Sequence, residues 1–396
     1  MRRSLLLLAL WLIASAGPVS ARPRHLYLTW DNADTAHTQT VVFQTTGKAA
    51  NPRVEVLLDG PSGKTSSLGV KSVMLAGTER RVHWVTLKGL TPSTVYKFRA
   101  GDDSFGLSPW KSFRTLAEDR PLRIAAGGDM YRHPETVQLL KAIAVHKPDV
   151  ALIGGDIAYA DADLEKLGFW DDWFDNWADY LDPKDGPMVG MILAIGNHEV
   201  GGSFDRQKKD APFFFTFFPQ GGEPYFVRRL GLGTEVVVLD TSHVTHHKAQ
   251  VPFLEKALKS MKERSVPYRL ALYHVPCYPT HRPFGDGYSA RGRQYWVPLF
   301  DRYKLSAGLE NHDHTFKRTH PLVGGKITAG GTVYLGDGCW GRTPRTVART
   351  PYAAKASSTY HVWLLTPEPQ GMKCEAVGRD SKVFDRTVLP GRGRGE

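Results

Sequence analysis

The sequence has few cysteines, no apolar run long enough to cross a bilayer, and no block in which basic and aromatic residues alternate. Three cysteines in 396 residues allow at most one intrachain disulfide, which excludes a disulfide-built scaffold. With no nucleic-acid-binding motif, the formal net charge of +11 indicates a basic solvated surface rather than a nucleic-acid partner. Apolar residues make up 41% and charged residues 23%, so the chain is globular rather than disordered.

The N-terminus has the three parts of a secretory signal peptide over residues 1–21. A basic Met1-Arg2-Arg3 precedes a short apolar core, and Val19-Ser20-Ala21 is a small-residue cleavage site with Ala14-Ser15-Ala16 as a rival. Arg2-Arg3 also leaves open the twin-arginine export route. No cysteine lies near the cleavage site, so the sequence predicts an exported protein, periplasmic or extracellular, without a membrane anchor.

Short strands at regular spacing dominate the segment from 25 to 116. Residues 25–30 alternate in polarity, residues 40–45 do so in part, and Asp59-Gly60-Pro61 is a turn signal. The segment 87–99 looks like the turn and strand of a fibronectin type III sandwich, with Tyr96 as the corner tyrosine. These patterns predict an all-β sandwich over residues 22–117, and residues 117–121 read as a polar linker.

From Leu122 the pattern changes to strands that alternate with helices, which predicts an α/β domain over residues 118–390. Predicted strands cover 122–126, 150–153, 191–195, 236–239, 270–273, 332–335, 361–365, 372–377 and 383–389; predicted helices cover 134–147 and 250–264. Aromatic residues at helical spacing over 169–180 predict core packing, and those over 213–218 predict a core or a domain interface. The tail 391–396 is expected to be flexible.

Polar, metal-capable residues follow the ends of successive apolar strands of this second domain. Each alone is usually a turn residue, a helix cap or an ordinary histidine, but five clusters in chain order indicate one site at a sheet edge. The clusters are Asp129; Asp156 with Tyr159; Asn197 with His198; His274; and His312 with His314.

This ordered set resembles the calcineurin-like metallophosphoesterases and, within them, the purple acid phosphatases. The motifs that carry the resemblance are Gly128-Asp129, Gly155-Asp156-Ile157-Ala158-Tyr159, Gly196-Asn197-His198-Glu199, Tyr273-His274 and Asn311-His312-Asp313-His314. The resemblance covers nearly the whole chain after residue 21. It implies a fibronectin III-like β-sandwich followed by an α/β metallophosphoesterase domain, whose mixed two-sheet core is flanked by helices.

The resemblance also implies a ligand set for two metal ions. Asp129, Tyr159 and His314 would hold the first ion, Asn197, His274 and His312 the second, and Asp156 would bridge them. Hard carboxylate and phenolate donors suit Fe(III), and imidazole and amide donors suit a divalent partner, which would be Fe, Zn or Mn.

Two further histidines would act on the substrate without binding metal. By resemblance, His198 hydrogen-bonds a phosphoryl oxygen or protonates the leaving alkoxide. His281 follows His274 by seven residues and is either a second substrate-side histidine or a surface loop residue. His243, His246 and His247 are expected to be loop residues.

Four departures from the family pattern put substrate preference in doubt but remove no ligand. Tyr131 stands where the family has glycine or histidine and would crowd the first metal or add a second phenol; Asn311 replaces a glycine. Residues 315–318 differ from the plant-type pattern. Cys277 and Cys339 could form a disulfide, and the sequence equally allows a free thiol or a cysteine near the metals.

These observations predict an exported dimetal phosphoesterase that hydrolyses phosphate monoesters by attack of a metal-bound hydroxide. Its substrate would be a small anionic phosphoester. One alternative is a phosphodiesterase or nucleotidase with the same metals, and another is a non-catalytic surface-binding protein whose β-sandwich is the functional part. The sequence leaves the native metal pair, the physiological ester and the oligomeric state open.

Overall fold

The computed structural model describes residues 23–57, 65–104, 106–231 and 233–393. The predicted signal peptide and the turn at Asp59-Gly60-Pro61 lie outside these ranges. None of the helices within them combines the length and the hydropathy needed to cross a membrane.

Nine strands form two antiparallel sheets before residue 115. They are β1 (Arg24–Thr29), β2 (Thr38–Thr46), β3 (Arg53–Leu57), β4 (Thr65–Gly69), β5 (Lys71–Met74), β6 (Arg80–Lys88), β7 (Val95–Asp102), β8 (Gly106–Leu107) and β9 (Lys111–Arg114). One sheet has the order β1-β2-β6-β5, and the other has the order β4-β3-β7-β8 with β9 paired to β7. Side chains such as Val41, Phe43, Val56 and Phe98 fill the space between the sheets, as a sandwich requires.

Tyr96 behaves as the corner tyrosine that the sequence predicts. Its hydroxyl accepts a hydrogen bond from the backbone N–H of Thr91 at 2.9 Å, and its ring stacks on Phe113. This bond fixes the chain reversal before β7, because it ties the turn to the strand that follows it.

Among the described residues that follow, the chain forms fifteen strands and six α-helices. The strands are β10 (Ile124–Gly127), β11 (Val150–Ile153), β12 (Gly190–Leu193), β13 (Phe226–Arg229), β14 (Thr234–Val238), β15 (Tyr268–Leu272), β16 (Ala307–Leu309), β17 (Phe316–Thr319), β18 (Leu322–Val323), β19 (Lys326–Ile327), β20 (Val333–Gly336), β21 (Ala353–Ser357), β22 (Val362–Glu368), β23 (Gly371–Val377) and β24 (Val383–Leu389). The helices are α1 (Pro134–Ala144), α2 (Leu167–Leu181), α3 (Pro212–Phe217), α4 (Val251–Glu263), α5 (Gly287–Tyr295) and α6 (Val297–Arg302).

Two mixed sheets pack face to face in this second domain, which confirms the predicted fold class. The first has the order β12-β11-β10-β22-β23-β24, with β10, β11 and β12 parallel. The second has the order β13-β14-β15-β16-β20-β17-β21, with β14, β15, β16 and β20 parallel. The parallel strands in each sheet therefore end at one edge of that sheet.

Alternate residues of these strands face two different cores. In β10, Ile124 and Ala126 belong to the layer between the sheets, whereas Ala125 packs in the outer layer beside α1 and α2. In β15, Leu270 faces the layer between the sheets and Ala271 faces the layer beside α4. Strands covered on both faces have near-continuous apolar runs, which is why the sequence shows them clearly.

The aromatic residues of α2 and α3 form a core that also receives the N-terminal sandwich. Tyr27 of β1 stacks on Phe174 of α2 at 4.7 Å between ring centroids, and its hydroxyl donates to the carbonyl of Phe217 at 2.6 Å. Asp171 of α2 accepts hydrogen bonds from His25 at 2.8 Å and Arg80 at 2.9 Å. The aromatic segments are therefore core and interface residues, as the spacing predicts.

Two expectations need correction or completion. The prediction of a flexible tail from 391 is wrong at Arg392, which is 5% exposed and donates hydrogen bonds to the carbonyls of Gly330 and Leu305, both at 2.8 Å. Cys277 and Cys339 are free and buried, so the structure has thiols where the sequence left a disulfide open.

Candidate metal centre

The polar clusters predicted from the sequence meet where the two mixed sheets end. Asp129, Asp156 and Asn197 follow β10, β11 and β12 of the first sheet; His274 and His312 follow β15 and β16 of the second. Because the parallel strands of each sheet end at one edge, residues far apart in sequence converge.

Five of the predicted ligands have left-handed backbone conformations, which side-chain-bearing residues rarely adopt. They are Asp129, Asp156, Tyr159, His312 and His314, with φ values between 53° and 77°. Such conformations are retained where the surrounding structure imposes them, and they cluster at functional sites. The backbone at this edge is therefore shaped around the side chains that it presents.

The first group of donors is built on His274. Its Nδ1 lies 2.8 Å from the carbonyl oxygen of Gly154, so this nitrogen carries the proton and donates it. Its Nε2 lies 3.0 Å from Nδ1 of His312, 3.1 Å from Oδ1 of Asn197 and 3.3 Å from Oδ1 of Asp156. Four donor atoms from four loops thus face one another.

The second group is built on Asp129. Its Oδ1 lies 3.0 Å from Nε2 of His314 and 3.4 Å from the Tyr159 hydroxyl, which is itself 3.3 Å from Nε2 of His314. Its Oδ2 accepts the backbone N–H of His312 at 2.8 Å. The carboxylate of Asp156 belongs to both groups, since its oxygens lie within 4.8 Å of the donor atoms of each.

The residues fit two cations. Burial and the surrounding charges have opposite effects on the Asp156 pKa, and the charges of His274 and His198 prevail, so the pKa lies well below its ordinary value. Burial lowers the pKa of His274, but the charge of Asp156 outweighs it and raises the value to about 9. Without a cation the cluster therefore holds a proton, which a bound metal would displace.

Tyr159 is buried beside carboxylates, and burial with the charge of Asp129 raises its pKa well above the ordinary value. The phenol is consequently protonated unless a cation lies next to its oxygen. Its place beside Asp129 and His314 supplies the third donor of the second group.

Glu199 holds the loops of the first sheet together beneath the cluster. Its carboxylate accepts the backbone N–H groups of Asp156, Ile157 and Gly196, each at 2.8 Å, and the side chain is fully buried. Burial, followed by the charge of Asp156, raises its pKa to about 7. Glu199 is the last residue of the Gly-Asn-His-Glu motif, but the sequence did not reveal this role.

His198 stands at the rim of the cluster, 35% exposed at its side chain. Its Nδ1 lies 2.6 Å from Oδ1 of Asp161, and its backbone N–H donates to Oδ1 of Asp156 at 2.9 Å. Asp161 is in turn paired with Lys166 at 2.5 Å. Asp161 follows Tyr159 by two residues, a spacing that could have identified it.

The loop after β15 brings Arg282, rather than the His281 ring, towards the cluster. Nδ1 of His281 lies 2.8 Å from the carbonyl oxygen of Thr346, so His281 uses this nitrogen to hold the loop. Arg282 donates to the carbonyl of His312 at 2.9 Å and to Asp313 at 2.7 Å. The predicted catalytic role of His281 stays a prediction.

His243 lies in a loop, as expected, but it is fully buried behind His274. Its ring centroid is 5.6 Å from that of His274, and its other face stacks on Phe204 at 4.7 Å. Burial lowers its pKa to about 3, so it is neutral. Phe204 stacks in turn on Tyr288, which extends an aromatic column from the cluster to the surface.

Tyr131 packs against the cluster through its ring. It makes an edge contact with Tyr159 at 5.3 Å, and the guanidinium of Arg342 lies over both rings. Arg345, three residues further along the loop after β20, donates to the carbonyl of His312 at 3.4 Å. The sequence analysis missed both arginines, although they follow a core strand just as the predicted ligands do.

Asn311 occupies space that two glycines leave open. Its Nδ2 donates to the carbonyl of Tyr273 at 2.9 Å. A Cβ at Gly154 would lie 1.8 Å from that nitrogen, and a Cβ at Gly128 would lie 2.6 Å from Oδ1.

Lys317 belongs to residues 315–318, which differ from the plant-type pattern, and it is buried in an ion-pair network. Its Nζ lies 2.6 Å from Oε2 of Glu310 and 2.6 Å from Oδ1 of Asp337. These two ion pairs anchor β17, the strand that follows His314.

Comparison with known proteins agrees with this architecture. The profile of the purple acid phosphatase N-terminal domain matches residues 23–115. The solved purple acid phosphatase from yellow lupin (Lupinus luteus) seeds superposes with a TM-score of 0.80 at 18% identity, covering 93% of this chain and 74% of that one. The chain therefore shares the fold of this purple acid phosphatase. The solved structure of PhoD is also similar, with a TM-score of 0.67 at 13% identity, and covers 96% of this chain and 92% of that one.

Curated purple acid phosphatases are also similar in sequence. Purple acid phosphatase 15 of Arabidopsis thaliana is 24% identical over 299 residues, covering 67% of this chain and 55% of its own length. An uncharacterized protein of Mycobacterium tuberculosis is 26% identical over 332 residues, covering 73% of this chain and 61% of its own length. The chain thus spans about three fifths of the length of these relatives.

Proposed function

We propose that the protein is an exported phosphoesterase that hydrolyses small phosphate monoesters by direct attack of hydroxide on phosphorus. The observation that carries the proposal is the convergence of seven donor residues on two groups that share Asp156. A phosphodiesterase would need the same residues, so the test below compares the two ester classes.

The donor set supports one metal in each group. Asp129, Tyr159 and His314 would hold the first ion, Asn197, His274 and His312 the second, with Asp156 between them. Bound metals supply the positive charge that lowers the pKa of water and polarises the phosphoryl oxygens. The hard oxygen donors of the group built on Asp129 favour Fe(III), and the nitrogen-rich group built on His274 favours a divalent ion.

His198 is the residue placed to handle the leaving group. Asp161 binds Nδ1 of the His198 ring, so the other ring nitrogen, Nε2, faces the cluster and lies 3.9 Å from Oδ2 of Asp156. In that orientation the imidazole can hydrogen-bond a phosphoryl oxygen or give a proton to the departing alkoxide. We keep His281 as a candidate second substrate-side residue, because its backbone N–H donates to Asp313. In the sequence, Asp313 lies between His312 and His314, one histidine from each donor group.

Purified protein reconstituted with iron and zinc tests the proposal. We expect two metals per chain, a visible charge-transfer band that Tyr159→Phe removes, and faster hydrolysis of p-nitrophenyl phosphate than of bis(p-nitrophenyl) phosphate. Tyr180→Phe, a partly exposed tyrosine of α2, is the matched control and should keep the band. Preference for the diester would replace the monoesterase with a phosphodiesterase, and absence of metal and of turnover would overturn the proposal.

Export is proposed from the N-terminal sequence. A cleavage after Ala21 would leave β1, which begins at Arg24, and the contact of His25 with Asp171 intact. N-terminal sequencing of the secreted fraction tests this. A start at Arg22 agrees with the proposal, whereas full-length protein retained inside the cell contradicts it.

A further inference from the structure

Two arginines beside the metal centre have no acidic partner among the residues that the structure describes. Within the described ranges, Arg342 and Arg345 form no ion pair with a carboxylate, and Nε of Arg342 is buried without a hydrogen-bond partner. Both side chains are partly buried. The rings of Tyr131 and Tyr159 offset part of the desolvation cost for Arg342, and a bound anion would supply the charge partner that both guanidinium groups lack.

Backbone hydrogen bonds hold the main chain of these two arginines beside the donor cluster. The N–H of Arg342 donates to the carbonyl of Asp129, and the N–H of Arg345 donates to the carbonyl of His314, both at 2.9 Å. The loop that carries them is therefore attached to the two segments that supply the second donor group. The backbone attachment places the two arginines beside the site, and their side chains contact the carbonyl of His312 and the ring of Tyr159.

Arg282 adds a third cation at the same place. It and Arg345 both donate to the carbonyl of His312, at 2.9 Å and 3.4 Å. Its one carboxylate partner, Asp313, also accepts the backbone N–H groups of Thr280 and His281, so that charge is shared. Asp129, the other carboxylate nearby, faces His314 and the amide of His312.

The arginines flank the metal-donor cluster instead of pointing at its donor atoms. Arg345 and Arg282 bind the backbone of His312, and Arg342 lies over the ring of Tyr159, 4.7 Å from its centroid. An anion held by these groups would therefore sit beside the phosphoryl group that the cluster itself would bind. Guanidinium groups bind phosphoryl oxygens through paired, charge-assisted hydrogen bonds.

We propose that Arg342 and Arg345, assisted by Arg282, form a subsite for a second phosphoryl group of the substrate. The proposal rests on the proposed function and narrows it to substrates with two neighbouring phosphoryl groups, such as a phosphoanhydride. In the hydrolysis of a phosphoanhydride, the oxygen of water bonds to one phosphorus. The bond from that phosphorus to the bridging oxygen breaks, the second phosphate leaves with that oxygen and the bonding electron pair, and the proton that the water loses ends on a phosphate product.

The experiment measures kcat/KM for the hydrolysis of inorganic pyrophosphate and of p-nitrophenyl phosphate. The proteins compared are the reconstituted wild type, Arg345→Ala, Arg342→Ala and the double variant. We expect the double variant to lose at least tenfold more kcat/KM on pyrophosphate than on p-nitrophenyl phosphate, since a charge-assisted hydrogen bond is worth about tenfold or more. Arg345→Lys, which keeps the charge but not the paired donors, should fall in between. Arg349→Ala, an exposed arginine of the same loop, should match the wild type.

Equal losses on both substrates would overturn the subsite, because the arginines would then bind the reacting phosphoryl group. Unchanged kinetics in the double variant would overturn it as well. Calorimetric titration with pyrophosphate and with phosphate measures binding of the second phosphoryl group independently of turnover. Tighter binding of pyrophosphate by the wild type, lost in the double variant, supports the subsite even if neither substrate is hydrolysed, whereas equal affinities contradict it.

Discussion

The Nδ1–H of His274 donates to the carbonyl oxygen of Gly154 at 2.8 Å, and this bond joins the ends of the two mixed sheets. Gly154 follows β11 of the first sheet, and His274 follows β15 of the second. The bond also determines which imidazole nitrogen faces Asp156, because the proton on Nδ1 leaves the lone pair on Nε2. Packing of the two sheets and ligand geometry are therefore set by the same contact.

We expect Glu199→Gln to destabilise the protein and to lower its metal content. The glutamine offers one acceptor oxygen where three backbone N–H groups now converge on a carboxylate, so at least one buried donor loses a good partner. An unsatisfied buried donor costs about 1–3 kcal/mol. Thermal unfolding and metal analysis measure the two effects.

Glu223→Gln is the matched control, since Glu223 is an exposed residue whose surface pair with Lys208 contributes little. It should leave both quantities close to the wild-type values. A wild-type melting temperature and metal content in Glu199→Gln would contradict the role given to this carboxylate.

Asp161→Asn should lower kcat more than it changes KM. Asp161 binds Nδ1 of His198, so its loss disorders the ring that acts on the leaving group while the phosphoryl site stays intact. We expect a loss of about 10–100-fold, smaller than the loss of about 10²–10⁴-fold for His198→Ala. Steady-state kinetics on p-nitrophenyl phosphate give both parameters, and Glu165→Gln, an exposed neighbour, is the control. An increase confined to KM would show that Asp161 acts in substrate binding instead.

Asp171 should stabilise the contact between the two domains in a pH-dependent manner. Burial opposes its ionisation, but hydrogen bonds from His25 and Arg80 outweigh burial and hold its pKa below the ordinary value. A lowered folded-state pKa gives stability that is fully present above the unfolded value of about 3.9 and is lost as the pH falls through the folded value.

We therefore expect Asp171→Asn to lower the free energy of unfolding by about 2 kcal/mol at pH 7, the usual scale for a hydrogen bond to a charged group. The difference in the free energy of unfolding between Asp171→Asn and the wild type should become smaller below about pH 4. Melting temperatures at pH 7 and pH 3 measure it, with Asp179→Asn on the exposed side of α2 as the control. A difference that stays constant down to pH 3 would show that the ion pairs do not carry the effect.

Gly154→Ala and Asn311→Gly should compensate for one another. The alanine Cβ would lie 1.8 Å from Nδ2 of Asn311, so the single variant should lose about 1–3 kcal/mol of stability through overpacking. In the double variant that clash is absent, and we expect a favourable coupling of at least about 1 kcal/mol. Gly168→Ala, where a Cβ meets nothing within 4 Å, should not be destabilising. Strict additivity would contradict the contact.

Much of the fold follows from local pattern. Strands buried on both faces appear as short apolar runs, and β11 and β24 have the predicted bounds. The polar residue after each strand then locates the site, because parallel strands that end at one edge bring such residues together. That rule places all seven predicted ligands in the donor cluster.

The remaining features depend on contacts that spacing does not encode. Arg342 and Arg345 lie in a loop whose path is set by hydrogen bonds to Asp129 and His314, and nothing in their neighbourhood distinguishes them from surface arginines. His243 looks like one of several loop histidines until the fold buries it against His274. Arg392 was misjudged because a glycine-rich end suggests fraying, whereas its guanidinium finds backbone carbonyls.

The fit of Asn311 against two glycines also bears on the order in which such a sequence can change. A larger residue at position 154 is incompatible with asparagine at position 311, whereas glycine at 154 tolerates either residue there. An order of change in which glycine at 128 and 154 precedes asparagine at 311 therefore avoids the overpacked intermediate. Once asparagine is established, replacing either glycine costs stability that a change at position 311 would restore, so the three positions favour one direction of sequence change.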